Sequence, residues 1–245
     1  MNLINPTDSV KVSGAAVFDG GDETGHLTDG RLLVAGNLTQ RHTTSLSSFL
    51  ATGNHHVVLN GTGAQVLDFA DSISAFFANL DDNNVSAVVQ LSTAINVQGD
   101  FSMLPGSHLT GIDNSRTGTE FIVFGNISSP STSTLTMGQL LVGGTLSIQG
   151  VYSVTAVIFI GTSGQIIPAN LPYQYLDVTG DATFGIGRPV INQDVILTGT
   201  QLTLTDSTVI HGSAYITAGT LVLNGQTLDL DGGLTTDGTR LVQRA

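Results

Sequence analysis

Short β-rich runs that stop at glycine recur along this chain. "SVKVSG" ends at Gly14 and "LLVAG" at Gly36; "INVQG", "FIVFG" and "LLVGG" end at Gly99, Gly125 and Gly144; "VILTG", "YITAG" and "LVLNG" end at Gly199, Gly219 and Gly225. Many successive stops lie about twenty residues apart, as from 14 to 36, from 99 to 125 and from 199 to 219. β-Branched residues suit extended backbone, and glycine ends or bends a strand. One coil of a parallel β-solenoid takes about that many residues, and fixed periods of ~20–50 residues mark stacked repeats. The expected fold is all-β: a single-stranded right-handed parallel β-helix with coils of about 20 residues, continuous over 1–245. A β-sandwich is the runner-up, since short strands with turn signals also suit it.

A longer period overlies the short one. "VVLNGTGAQV" (Val57 to Val66) returns as "VIFIGTSGQI" (Val157 to Ile166), an offset of 100. "GRLLVAGNLTQ" from Gly30 matches "GQLLVGGTLSIQ" from Gly138, at 108, and "INVQG" from Ile95 matches "VILTG" from Val195, again at 100. The matches keep their order. They imply two degenerate copies, about 30–137 and 138–245, with 1–29 resembling the tail of a preceding copy.

Inside such a coil, side chains alternate in and out. Leu202 and Leu204 are expected to point in, with Thr203 and Thr205 out; Leu221, Leu223, Leu228 and Leu230 are expected inside. Gly and Asn at corners would supply left-handed backbone. The paired motif then reads as a corner. Gly61 and Gly63 bend the chain, and Gln65 either faces solvent or lays its amide on a neighbouring coil; Gly161, Gly164 and Gln165 do the same in the second copy. The one stretch with helical spacing is "DSISAFFANL" (Asp71 to Leu80), which fits a helical turn or two, or two short strands joined by a bend.

Charge narrows the function classes. The chain has 19 acids and 7 bases, a net charge of −12, and only 11% charged residues, against ~25% in average globular proteins. Lys11, Arg31, Arg41, Arg116, Arg188, Arg240 and Arg244 are scattered rather than clustered, so the cationic footprint of nucleic-acid binding is missing. An anionic membrane surface is disfavoured on the same ground. No run of 18 apolar residues exists, so no membrane insertion is expected. Cysteine is absent, which removes disulfides, thiol catalysis and thiolate metal sites. The opening "MNLINPTDSV" has neither a basic nor an apolar signal region, and the abrupt ends suggest a piece of a longer exported chain.

Candidate chemistry is sparse. Glycoside hydrolysis needs paired carboxylates. Asp81 and Asp82 are adjacent, would point to opposite faces of a strand, and read as a turn; Asp229 and Asp231 share a face but read as solvated. His55 and His56 would aim apart, which is poor for a shared metal ion. Asp19, Asp22 and Glu23 in "DGGDETG" offer hard oxygen ligands of the kind Ca²⁺ takes, without the spacing of an established calcium loop. His211-Gly212 lacks the first glycine of a hydrolase "GHG" motif, and "FGIGRP" lacks the third glycine of a dinucleotide fingerprint. No catalytic, metal or cofactor residue is assigned, and Gly61, Gln65, Gly161 and Gln165 stand as structural corner residues.

The order "LLVAGNLTQ…VVLNGTGAQ…NL…INVQGDF" resembles a repeat module of very large bacterial extracellular proteins. More loosely, it is similar to the β-helical shafts of filamentous haemagglutinins and autotransporter passengers. The second copy departs from the pattern at Ile160, which stands where the first has Asn60, and in the irregular "GRPVINQ". The resemblance implies a secreted or surface-attached stalk or adhesin, extracellular, with no active site in the module. Open solenoid ends expose unpaired strand edges, so other copies of itself or neighbouring modules are expected partners, with surface glycans beside them. Because β-helices also carry polysaccharide lyases and hydrolases, a carbohydrate-binding or carbohydrate-cleaving protein is the alternative.

Overall fold

The computed structural model describes all residues except 112–114, 117–119, 238–239 and 243–245, so Arg244 lies outside the described residues. Every strand pairing is parallel, and the strands wind into a β-solenoid of about 11 turns. Each coil contributes a strand, or at least a single bridge, to each of three faces in turn.

The first face begins with the bridges Leu3↔Leu27↔Ala51 and continues through Ile95–Val97, Glu120–Val123, Tyr175–Val178, Val195–Leu197, Ala214–Ile216 and Leu234–Thr236. The second runs from Ser9–Val12 through Arg31–Val34, His56–Leu59, Asn79–Asp82, Phe101–Met103 and Ile127–Ser129 to Leu146–Ile148. It resumes as a separate sheet at Gln165–Ile167 and reaches Arg240–Val242. The third carries Ala16–Phe18, Leu38–Gln40, Gln65–Phe69, Val88–Leu91 and His108–Gly111, and later Val190–Ile191, Thr208–Ile210 and Leu228–Leu230. Two nine-residue strands, Thr134–Val142 and Val151–Phe159, run from the third face round onto the first and merge the two into one 13-stranded sheet. At each bend two successive residues face inward, as at Ala156 and Val157.

Alternation works as expected where coils are regular. Leu202 and Leu204 are buried and Thr205 is exposed, while Leu223, Leu228 and Leu230 pack partly buried against the core. Stacking turns this into continuous ladders, because each inward side chain sits over its register partner one coil below: Val178 on Phe159, Leu197 on Val178, Ile216 on Leu197. Burying each such side chain contributes roughly 1.5–3 kcal/mol.

Five of the glycine stops, with Gly161 and Gly180, form a column at the corner between the first and second faces, while Gly14, Gly36 and Gly225 lie between the second and third. Gly99, Gly125, Gly144, Gly161, Gly180, Gly199 and Gly219 follow one another up the rod. The Gly125 N–H donates to the Gly99 carbonyl at 3.0 Å and the Gly144 N–H to the Gly125 carbonyl at 2.9 Å. A Cβ on Gly144 would lie 2.5 Å from the Gly125 carbonyl oxygen, well inside contact distance. The reason for glycine is therefore space. Left-handed backbone, the expected reason, applies within this column only to Gly219, with φ 77°.

The segment 71–80 contains no helix. Asp71 accepts the N–H groups of Ile73 and Ser74 at 2.8 and 2.9 Å and closes a turn, after which Phe76 bridges Leu50 and Phe77 bridges Val97. The two-strand alternative is the nearer one. Ile73, which would anchor the apolar face of a helix, is 86% exposed.

Candidate functional site

The paired motif lies at two different corners. Val57 to Val66 passes from the second face to the third, whereas Val157 to Ile166 passes from the first to the second. What the two share is a local situation. Five residues, 60–64, join strands directly above a corner of three, 35–37; in the second case residues 160–164 stand above 143–145. A wide corner over a tight one leaves an internal gap lined by carbonyls of the lower coil.

A glutamine fills each gap. Gln65 Nε2 donates to the carbonyls of Val34 (2.9 Å) and Gly36 (2.7 Å), and its Oε1 accepts the Gly61 N–H at 3.0 Å. Gln165 repeats this with Val142 (2.8 Å), Gly144 (2.9 Å) and the Gly161 N–H (2.7 Å). An amide has two donors and two acceptor lone pairs. Gln65 uses all four, because Asn84 Nδ2 also donates to its Oε1 at 3.0 Å. Gln65 is fully buried and Gln165 is 6% exposed. Of the two expected placements, the amide on a neighbouring coil is the one adopted, and Gly61 and Gly161 are needed because a Cβ there would lie 2.5 Å from the carbonyl oxygen of Ala35 or Gly143 and against the glutamine amide.

Corner polarity is used in the same way elsewhere. Asn79 Oδ1 accepts the Asp100 N–H (3.0 Å), Asp100 Oδ1 the Asn126 N–H (2.7 Å), and Asn126 Oδ1 the Thr145 N–H (2.9 Å). At another corner Asp194 Oδ1 accepts the Ser213 N–H at 2.8 Å. This ladder was not anticipated from the sequence. Its signal is the Asn or Asp that directly follows a strand-ending glycine, as in Gly36-Asn37, Gly99-Asp100 and Gly125-Asn126.

Asp81 and Asp82 belong to the strand Asn79–Asp82 rather than a turn, and they do point to opposite sides. Outside, Asp81 accepts from Ser102 Oγ at 2.5 Å and contacts His56 Nδ1 at 2.8 Å. The carboxylate sits between serine and imidazole, so the hydroxyl meets the carboxylate and not the imidazole, and the order required of a nucleophilic triad is not met. Inside, Asp82 stands in a ladder between Leu59 and Met103. One oxygen accepts the Asn84 N–H at 3.1 Å and the other has no hydrogen-bond partner among the described residues. Burial pushes its carboxyl up to about 7. His55 is buried with its Nδ1 2.7 Å from the Asp29 carbonyl, and burial holds its pKa below the ordinary histidine value. The two histidines diverge as expected.

The remaining candidates are separate. Asp229 is exposed, and Asp231 contacts His211 Nδ1 at 2.7 Å on the surface. Asp19 accepts from Thr43, Asp22 from Thr24, and Glu23 meets the N-terminal ammonium at 3.3 Å. Among the described residues no three His, Asp or Glu side chains gather where they could hold a metal ion, and no helix is long and apolar enough to cross a membrane. Arg116 lies over the Tyr175 ring at 4.4 Å and reaches Asp177 at 3.4 Å; burial raises the Asp177 carboxyl against the pull of that guanidinium. Where the second face is interrupted, Gly144, Thr145, Leu146, Ser163, Ile166 and Pro168 border an open groove of about 430 Å³. Compared with protein-family models, curated proteins and solved structures, the chain matches none.

Proposed function

We propose that this protein is a non-catalytic structural or adhesive module, a rigid rod of an exported bacterial surface protein whose polar faces serve attachment or self-association. One observation carries this reading. The polar residues of the paired corner motif are engaged in joining one coil to the next, with Gln65 and Gln165 each bridging its own corner to the corner below. Side chains committed in this way resist bending and separation of coils, which is a mechanical property rather than a catalytic one. Outside, a neutral surface of hydroxyls and amides, with few charges, suits close contact with glycans or with further copies. The test is incubation with a panel of neutral and acidic polysaccharides, reading binding and product release separately. Binding without product supports the module. Product release that disappears in Asp229→Asn/Asp231→Asn would establish the alternative, a carbohydrate-cleaving β-helix. Single-molecule pulling and electron microscopy across a concentration series distinguish a load-bearing filament former from a monomeric binder.

A further inference from the structure

The chain contains two Asn-Gly pairs, Asn60-Gly61 and Asn224-Gly225, and the fold treats them in opposite ways. This sequence is prone to spontaneous deamidation, because the glycine nitrogen can attack the asparagine side chain unhindered by a Cβ. Attack requires a free main-chain N–H and a side chain able to swing over it. At the first pair the first condition fails. Gly61 is buried and its N–H is committed to Gln65 Oε1 at 3.0 Å, so the corner must open before reaction.

The second pair sits at the tip of a tight turn. Asn224 and Gly225 have φ of 52° and 76°, and the Gln226 N–H donates to the Leu223 carbonyl at 2.8 Å. Two positive φ values inside a four-residue turn give type I′ geometry. Both residues are exposed. Among the described residues the Gly225 N–H and the Asn224 side-chain amide have no hydrogen-bond partner, and Asn224 is also the one residue other than glycine with positive φ.

We propose that Asn224 is a site of spontaneous deamidation and isoaspartate formation, and that the Gln65 wedge protects Asn60 from the same reaction. The Gly225 nitrogen loses its proton to solvent and bonds to Cγ of Asn224. The Cγ–Nδ2 bond breaks, ammonia leaves, and a five-membered succinimide remains. Water then opens either carbonyl, giving Asp at 224 or an isoaspartyl linkage that lengthens the main chain by one methylene. The product adds a negative charge to an acidic rod. In the isoaspartyl form it also displaces the corner that leads to Thr227, whose carbonyl accepts the Thr208 N–H at 2.9 Å from the coil below. The proposal is independent of whether the rod serves adhesion or carbohydrate chemistry.

The experiment follows the two peptides by mass spectrometry after incubating the folded protein and a urea-denatured sample in mildly alkaline buffer. Asn224→Asp provides the chromatographic standard for the α-linked product, and methylation by an isoaspartyl methyltransferase reports the other. In the folded protein, Asn224 should convert about tenfold or more faster than Asn60, since only Asn60 requires prior local opening. In denaturant the two rates should converge. Equal rates in the folded state overturn the proposal, as does an unreacted Asn224 after a time in which the denatured chain has converted.

Discussion

The coils before Val123 and those after Val142 solve the same stacking problem with different cross-sections. On the first face, register partners lie 24 residues apart from Leu27 to Ala51, 26 apart from Leu50 to Phe76 and from Val97 to Val123, and 20 apart from Phe77 to Val97. Beyond Val142 the spacing is 17 to Phe159, then 19 to Val178, to Leu197 and to Ile216. The longer coils carry extra residues in exposed connections such as 20–26 and 41–47, and their core holds rings and amides. Phe49 touches Phe18, Phe69 and Phe77 at centroid distances of 4.9, 5.4 and 5.1 Å. Gln40, His55, Gln65, Asp82 and Asn84 are buried in the same half, whereas the narrow half is filled mainly by Leu, Ile and Val. Extra residues in a coil must go into its corners. A longer corner exposes carbonyls and N–H groups that a tight corner pairs coil to coil, and a buried polar side chain is the remedy.

The largest effect should come from emptying the wide half. Phe49→Ala removes the hub of the ring cluster and should destabilise by about 4 kcal/mol in a denaturant titration. Leu202→Ala in the narrow half should lose less, about 3 kcal/mol. Equal losses would mean that ring packing adds nothing to the wide coils. The wedges come next. Gln65→Ala strands the Gly61 N–H and two carbonyls and should cost about 2–3 kcal/mol. Gln165→Ala should cost about 1 kcal/mol less, because Gln165 lacks the fourth bond that Asn84 makes to Gln65.

Asp82 gives a signed prediction. Its folded carboxyl titrates at about 7 against an ordinary value of 3.8. Below 3.8 both folded and unfolded forms are protonated, and no penalty exists. As pH rises from there to about 7 the unfolded chain ionises first, so stability falls across that window and then levels off. Asp82→Asn removes the slope. It should raise stability at pH 8 by up to a few kcal/mol and change it little at pH 4, as read by paired thermal melts. A variant that destabilises equally at both would show that Asp82 is held by a partner rather than penalised by burial. The smallest effect belongs to the surface: His211→Ala removes an exposed contact with Asp231 and should change stability by no more than about 0.5 kcal/mol.

Much of this was legible in the residues. The glycine stops placed the coils, and the recurrence of Gln65 as Gln165 marked the two wedges, although their burial was left open between two placements. The face carrying each segment was not legible. Val57–Val66 and Val157–Ile166 are alike because each is a long corner over a short one, and the corner beneath is set by residues one coil earlier, 25 positions back in the first case and 17 in the second. The helical spacing of 71–80 misled for a related reason. Periodicity reports what a segment prefers alone, while Phe76 and Phe77 were placed by bridges to Leu50 and Val97.

The sequence by itself determined the alternation of inward and outward residues and the position of corners, because both depend on side-chain type and local backbone freedom. Tertiary stacking decided which glycines are needed for space, which polar side chains turn inward, and which of two Asn-Gly pairs is shielded. Those outcomes depend on the coil above and the coil below. A carbonyl 2.5 Å from where a Cβ would stand at Gly144, or an amide bridging Gly61 to Val34, is a relation between residues that are neighbours only once the rod has formed.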